Sequence, residues 1–85
     1  MDEIKITRTE GDWTFGSYGP YRFQVKRTAE PTEFGLDFDG SRGRIIKLWV
    51  ARGFTTVCSF DRGWDVLPSL DADMDCCADI IFAFN

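Results

Sequence analysis

The feature that most constrains the fold is a change in the spacing of apolar residues near Trp64. Before this point apolar and polar residues alternate, most clearly in segment 21–26, and all eight glycines lie there. After it apolar residues recur every three or four positions. Alternation broken by glycine is typical of strands and turns, and the longer spacing is typical of a helix. The chain therefore predicts an α+β fold, in which a C-terminal α-helix covers a mostly antiparallel, meandering sheet of about five or six strands.

The strand segments all lie in residues 1–62, which we expect to form the sheet of a single domain spanning residues 1–85. The alternating segments are residues 4–7, 13–15, 21–26, 34–38, 44–51 and 54–60. Residues 28–32 contain a proline and few apolar residues, which predicts a loop. Residues 39–43 have the composition of a turn.

The last two segments predict a hairpin with Arg52-Gly53 as its two-residue loop. Counting back from this loop gives four cross-strand pairs: Leu48 with Val57, Trp49 with Thr56, Lys47 with Cys58, and Ile45 with Phe60. Both sides of such a hairpin carry apolar residues, so both sides must be covered. We therefore expect Trp49 and Ile45 to contact a second copy of the chain or another protein.

The C-terminal segment predicts a helix over residues 69–84, with Ser69 as its N-cap. Its apolar positions predict the buried face: Leu70, Met74, Cys77, Ala78, Ile81 and Phe84. Asp71, Asp75 and Asp79 are four residues apart and share another face. The alternation in residues 80–84 leaves a short strand as the alternative for the end of the chain, and we favour the helix.

The net charge of −4 argues against nucleic acid as a partner. This charge is unevenly distributed, because residues 1–62 hold ten basic and nine acidic residues, whereas residues 63–85 hold five aspartates and no basic residue. The acidity therefore marks one face of the helix. We expect this face to contact a protein partner with a basic surface.

The most distinctive segment is residues 60–65, Phe-Asp-Arg-Gly-Trp-Asp. Asp61, Arg62, Trp64 and Asp65 could form a recognition patch at the edge of the sheet, since Trp and Arg are enriched at binding sites. The structural explanation is that Asp61 caps a turn, Gly63 takes a positive φ, and Trp64 fills the gap between sheet and helix. We favour the structural explanation.

A basic cluster surrounds the hairpin, where Arg42, Arg44, Lys47 and Arg52 lie near Trp49. Aromatic and basic residues together are the pattern of single-stranded nucleic-acid binding, but the overall acidity counts against it. A solvated ribbon whose charges prevent aggregation is the ordinary explanation. A third possibility is that this basic ribbon docks against an acidic helix, its own or that of a neighbour.

Residue types that commonly support catalysis or metal binding are sparse in this chain. The chain has no histidine, which removes the commonest general base, and its three cysteines include no Cys-x-x-Cys spacing. We therefore expect no cofactor and no metal, with the cysteines as small buried thiols. No apolar stretch follows the acidic N-terminus, and no apolar run is long enough to span a membrane. These features predict a cytoplasmic protein without a signal peptide or a membrane partner.

The run from Arg44 to Val50, together with residues 60–65, resembles small proteins of bacterial mobile DNA, of the phage or integron gene-cassette type. This resemblance implies a compact, cytoplasmic and often oligomeric protein, and it transfers no catalytic residue. Our leading hypothesis is a non-catalytic interaction module that self-associates through the Trp49 side of the hairpin or through the helix.

Two other functions remain open from the sequence. An anti-defence or regulatory inhibitor would use Asp71, Asp75 and Asp79 to occupy a basic groove. A small-ligand-binding protein or minor enzyme would have its site near Trp64.

Overall fold

The computed structural model describes residues 3–32, 35–36 and 43–84, and within these ranges the chain forms one antiparallel sheet and one helix. The elements are β1 (Ile4–Glu10), β2 (Trp13–Tyr18), β3 (Tyr21–Thr32), β4 (Gly43–Arg52), β5 (Thr55–Asp61), β6 (Trp64–Val66) and α1 (Asp71–Phe84). The strands lie in chain order from β1 to β6, each antiparallel to the next. The predicted α+β architecture is confirmed.

Helix α1 packs on one side of the sheet, and the alternation in the strands determines which side. Tyr21, Phe23 and Val25 of β3 are buried, and the latter two pair with Val50 and Leu48 of β4, which are buried as well. The Phe23 ring contacts the Phe84 ring at a centroid distance of 5.4 Å. Because successive residues of a strand point to opposite faces, the intervening polar residues lie on the side away from α1.

The predicted register of the β4–β5 hairpin is wrong. Arg52 pairs with Thr55, so the turn is Gly53-Phe54 and begins one residue later than expected. A bulge between Val50 and Ala51 shifts the pairing once more. As a result, Trp49 lies opposite Ser59 rather than Thr56.

Ile45 does not lie on the same face as Trp49, which corrects its assignment to a partner-binding surface. It is completely buried in the core, with 0% of its surface exposed. The cause is a second irregularity, because Lys26 pairs with Lys47 while the next residue, Arg27, pairs with Ile45. β4 therefore has one extra residue at this point, which places the Ile45 side chain on the core face instead of the opposite face.

Three other segments differ from expectation. β3 continues through the predicted loop at 28–32 and pairs Thr32 with Gly43. Most of the predicted strand 34–38 and turn 39–43 lies outside the described residues; Gly35 and Leu36 are not in a strand, but the Leu36 amide donates to the Ile45 carbonyl at 2.7 Å. β6 forms where we expected a turn and the approach to the helix.

Helix α1 is confirmed over the end of the chain, but it begins at Asp71, and its buried face shares only Cys77, Ile81 and Phe84 with the predicted one. The buried residues are Asp73, Cys76, Cys77, Ile80, Ile81 and Phe84. Leu70 and Met74, both predicted for the core, are 57% and 42% exposed. The helix is therefore rotated about its axis relative to the orientation that apolar spacing alone favours.

Asp73 explains this rotation. Its carboxylate accepts a hydrogen bond from the Tyr21 hydroxyl at 2.7 Å and forms an ion pair with the Arg52 guanidinium at 3.2 Å. The hydrogen bonds from Arg52 and Tyr21 hold the pKa of the Asp73 carboxyl below its usual value, and the bond to Asp73 raises the pKa of Tyr21 to about 12. A buried carboxylate requires such partners, so the helix turns to bring Asp73 to them.

Replacing Asp73 with Asn should lower stability at neutral pH, because the variant loses the ion pair with Arg52. We expect the melting temperature to fall by about 5 °C or more, measured by circular dichroism. A carboxyl whose folded-state pKa is lowered stabilises the protein above its unfolded pKa of about 3.9, and this contribution disappears as the pH falls. Below that pH, the melting temperature should therefore fall more steeply in the wild type than in the variant.

Asp71→Asn is the matched control, because it removes the same charge from the same helical turn at an exposed position. We expect it to change the melting temperature by much less. Equal losses in the two variants would show that helix-dipole interactions, rather than the contacts with Tyr21 and Arg52, account for the effect.

Candidate functional site

An apolar groove lies between α1 and β6, and we call it the helix–β6 groove. It has a volume of about 620 Å³. Its principal lining residues are Trp64, Leu67 and Pro68 on the strand side and Met74, Ala78 and Ile81 on the helix. The rotation of α1 produces this groove, because it moves Met74 out of the core and towards β6.

Several large apolar side chains at the groove are exposed. Leu67 is 64% exposed and Trp64 is 40% exposed. The Trp64 ring meets the Phe60 ring edge-on at 5.2 Å, so it fills only part of the gap between sheet and helix. Clustered exposed apolar residues mark interaction sites more often than single ones do.

The predicted patch of Asp61, Arg62, Trp64 and Asp65 does not converge on one site. Asp61 pairs with Arg62 at 3.5 Å and borders a hollow on the far side of the sheet, whereas Trp64 lines the helix–β6 groove. Asp65 is exposed where β6 departs from regular pairing. These four residues therefore do not form one recognition patch.

The turn that holds these residues differs from our expectation in one detail. Arg62 takes the positive φ, 54°, that we assigned to Gly63. Its amide donates to the Ile46 carbonyl at 2.9 Å, while the Asp61 amide donates to the Gly63 carbonyl at 2.8 Å. These backbone bonds hold Arg62 in a conformation that non-glycine residues seldom adopt.

The three aspartates of the predicted acidic face are all exposed on α1. Asp79 accepts a hydrogen bond from the Tyr18 hydroxyl at 2.7 Å, and Asp75 borders the helix–β6 groove. Asp71 lies in the first turn, where the helix dipole favours a negative charge. The helix side of the molecule therefore combines an apolar groove with a negatively charged surface.

The opposite side of the sheet, which we call the open face, carries aromatic and basic residues in cross-strand rows. One row contains Arg8, Phe15, Gln24, Trp49 and Ser59, and the next contains Glu10, Trp13, Lys26, Lys47 and Asp61. The third contains Lys5, Ser17, Arg22, Ala51 and Thr56. Of these residues, only Lys47, Trp49 and Asp61 were candidate binding residues on the basis of the sequence.

Cations lie over the aromatic rings of the open face. Arg8 is 4.2 Å from the centroid of Phe15, Arg22 is 5.6 Å from Trp49, and Lys26 is 6.0 Å from Trp13. The Trp13 and Phe15 rings are stacked at 6.1 Å with an angle of 23°. The signal for this face was present in the aromatic residues of β2 and the polar residues of β3, but recognising it requires the register that aligns them.

The cysteines are packing residues. Cys58, Cys76 and Cys77 are all buried, and Cys58 shares a hydrogen bond with Cys77 between β5 and α1. That bond and burial raise the pKa of the Cys58 thiol well above its usual value, and burial raises the pKa of Cys76 to about 12. The raised pKa values keep the Cys58 and Cys76 thiols protonated at neutral pH. The hydrogen bond with Cys58 lowers the pKa of Cys77, but this side chain is buried as well.

The described part of the chain contains neither a cluster of metal ligands nor a membrane-crossing helix. Residues 3–32, 35–36 and 43–84 contain no group of three or more His, Cys, Asp or Glu side chains arranged to hold a metal ion. Within the same ranges, α1 lacks the length and apolar character that a membrane-crossing helix needs.

Thiol titration should confirm that the cysteines are inert. In the native protein we expect 5,5′-dithiobis(2-nitrobenzoic acid) to react very slowly with all three cysteines, because all three are buried. In denaturant all three should react at once. Fast reaction of one thiol in the native state would instead identify an accessible thiolate and reopen the question of nucleophilic chemistry.

Comparison with known proteins adds a family but no activity. A family model described as Domain of unknown function (DUF7678) matches residues 12–85. The match includes β2 to β6 and α1, and it begins after β1. No curated protein and no solved structure matches the chain significantly.

Proposed function

The chain belongs to the DUF7678 family, whose description assigns no activity, and we propose that it is a non-catalytic protein-interaction module that self-associates. The observation that carries this proposal is the exposed apolar helix–β6 groove beside an edge strand of the sheet. Neither the buried thiols nor the dispersed carboxylates offer a comparable site for chemistry.

The occupant we propose for the groove is a second copy of the chain. β6 pairs with β5 on one side, and no described residue pairs with its other side. Antiparallel pairing of two β6 strands about a two-fold axis would continue the sheet and satisfy these backbone groups. It would also place the two grooves side by side, so that Leu67 and Met74 of each copy lose contact with water.

Charge predicts how this association responds to salt. Residues 63–85 carry five aspartates and no basic residue, and Asp75 lies on the groove itself. Two copies that meet through this region therefore repel each other weakly while their apolar residues attract. Added salt screens the repulsion and leaves the apolar attraction intact. Self-association should accordingly be unaffected or strengthened by sodium chloride.

Leu67→Glu and Met74→Glu test the groove, because each places a charge where the second copy would bury it. Leu67 is 64% and Met74 is 42% exposed in the single chain, so folding should survive. We expect the wild type to sediment as a dimer at high micromolar concentration and each variant to weaken the dimer by about tenfold or more. Analytical ultracentrifugation in low and high sodium chloride measures both effects.

Ile6→Glu is the matched control, because Ile6 is an exposed apolar residue on β1, at the other edge of the sheet. It adds the same charge without touching the groove, so the dimer should persist. A wild type that stays monomeric at every salt concentration would refute the proposal. So would a dimer that Ile6→Glu disrupts and the groove variants do not.

The exposed aspartates of α1 favour a second candidate function, an inhibitor that occupies a basic groove on another protein. Asp71, Asp75 and Asp79 project from the same face of an ordered helix, as phosphate mimicry requires. Replacing all three with Asn should abolish capture of a basic partner from lysate while leaving the dimer intact. Capture that persists in the triple variant would remove this candidate.

Cytoplasmic location and an origin in mobile DNA remain predictions from the sequence. The genes beside the coding sequence test the origin, because a gene from a phage or an integron cassette lies among other genes of the same element.

A further inference from the structure

We propose that the open face binds single-stranded nucleic acid, with bases stacking on Trp13, Phe15 and Trp49 and phosphates held by the surrounding basic residues. This goes beyond the proposed function, because it uses the side of the sheet opposite the helix–β6 groove. It also revises the expectation from the net charge that nucleic acid is not a partner, because most of the excess acidic residues lie on the other side of the sheet.

The aromatic residues are spaced for separate bases. Phe15, Gln24 and Trp49 are neighbours across β2, β3 and β4, and adjacent strands lie about 4.8 Å apart, so Phe15 and Trp49 are about 10 Å apart. A shallow hollow of about 360 Å³ extends between these two rings. A second, of about 150 Å³, lies between Trp13 and Trp49. Each hollow offers a flat base a space beside a ring.

Gln24 adds a polar contact at the centre of this arrangement. It lies between the two aromatic residues of its row and lines the larger hollow. An amide both donates and accepts hydrogen bonds, which suits the edge of a base. The two rings and the Gln24 amide between them therefore offer stacking and hydrogen bonding to one nucleic-acid strand.

The charge of the open face matches a phosphate backbone. Its three rows contain five basic residues: Lys5, Arg8, Arg22, Lys26 and Lys47. They contain two acidic residues, of which Glu10 pairs with Arg8 at 3.7 Å and Asp61 pairs with Arg62 at 3.5 Å. The aspartates that make the whole chain acidic lie beyond residue 62, mostly on α1, across the sheet from this face. A polyanion approaching the open face therefore meets a positive surface.

A single strand fits better than a duplex or an acidic peptide. In a duplex the base faces are stacked on one another and cannot reach protein rings, whereas a single strand exposes them. An acidic peptide would be attracted by the same cations, but it makes no use of three aromatic rings. The rings thus select the occupant, and the cations supply the attraction.

Fluorescence anisotropy with labelled oligothymidylate and oligouridylate of about ten nucleotides tests the proposal. We expect binding at low salt by the wild-type protein, with a dissociation constant that rises with sodium chloride. For four neutralised phosphates the logarithm of affinity should fall against the logarithm of salt with a slope of about −3. The Lys26→Gln, Lys47→Gln double variant should reduce this slope by about half. Tighter binding of one oligonucleotide identifies DNA or RNA as the source.

Trp49→Leu tests stacking and should weaken binding by about tenfold, whereas Trp49→Phe should retain most of it. Phe82→Leu is the matched control, because it removes an exposed aromatic ring from α1, on the opposite side of the sheet and outside the helix–β6 groove. It should leave the affinity unchanged. Circular dichroism establishes that each variant is folded.

Three results would overturn the proposal. The first is no binding of either oligonucleotide at low salt. The second is tighter binding of a duplex of the same length, since stacking on the rings requires unpaired bases. The third is equally tight binding of polyglutamate that is insensitive to Trp49→Leu, which would identify the open face as a site for acidic protein segments.

Discussion

The structure depends on one buried carboxylate. Asp73 reaches Tyr21 and Arg52 on the core face of the sheet, and this contact fixes the rotation of α1. If the helix turned to bury Leu70 and Met74, Asp73 would leave its partners and lose the hydrogen bonds that offset its burial. The same rotation that satisfies Asp73 therefore exposes apolar residues beside β6 and creates the groove.

A single helix also explains why the molecule has two unlike surfaces. α1 covers one face of a six-stranded sheet in the described part of the chain, and it reaches mainly β3 and β4. The region above β6 stays apolar and partly exposed, while the far face carries basic and aromatic residues of β1 to β4. A charged ligand and an apolar partner would thus bind on opposite sides without competing for the same residues.

The sequence could predict whatever depends on local periodicity. Alternation identified β3 and its buried residues, and the three- and four-residue spacing identified α1. The pairing register could not be predicted from the sequence, because the bulge beside Ile45 and the late turn after Arg52 have no local signature. The buried face of the helix was predicted only in part for a related reason. In the sequence Asp73 resembles any surface aspartate, and only the fold brings Tyr21 and Arg52 to it.

The separation of basic and acidic residues onto opposite sides of the sheet follows from the alternation of polar and apolar residues in the strands. Basic residues occupy the polar positions of the strands, and those positions point away from the face that buries the core. The helix, which carries four of the five aspartates beyond residue 62, must lie on that core face, so most of its aspartates cannot meet the basic residues of their own chain. Arg27 and Arg52 are exceptions on the core face: Arg27 lies over the Phe84 ring, and Arg52 lies at the end of β4 beside Asp73. Net charge therefore describes neither face of the molecule, since the alternation that folds the sheet also divides its charges between two faces.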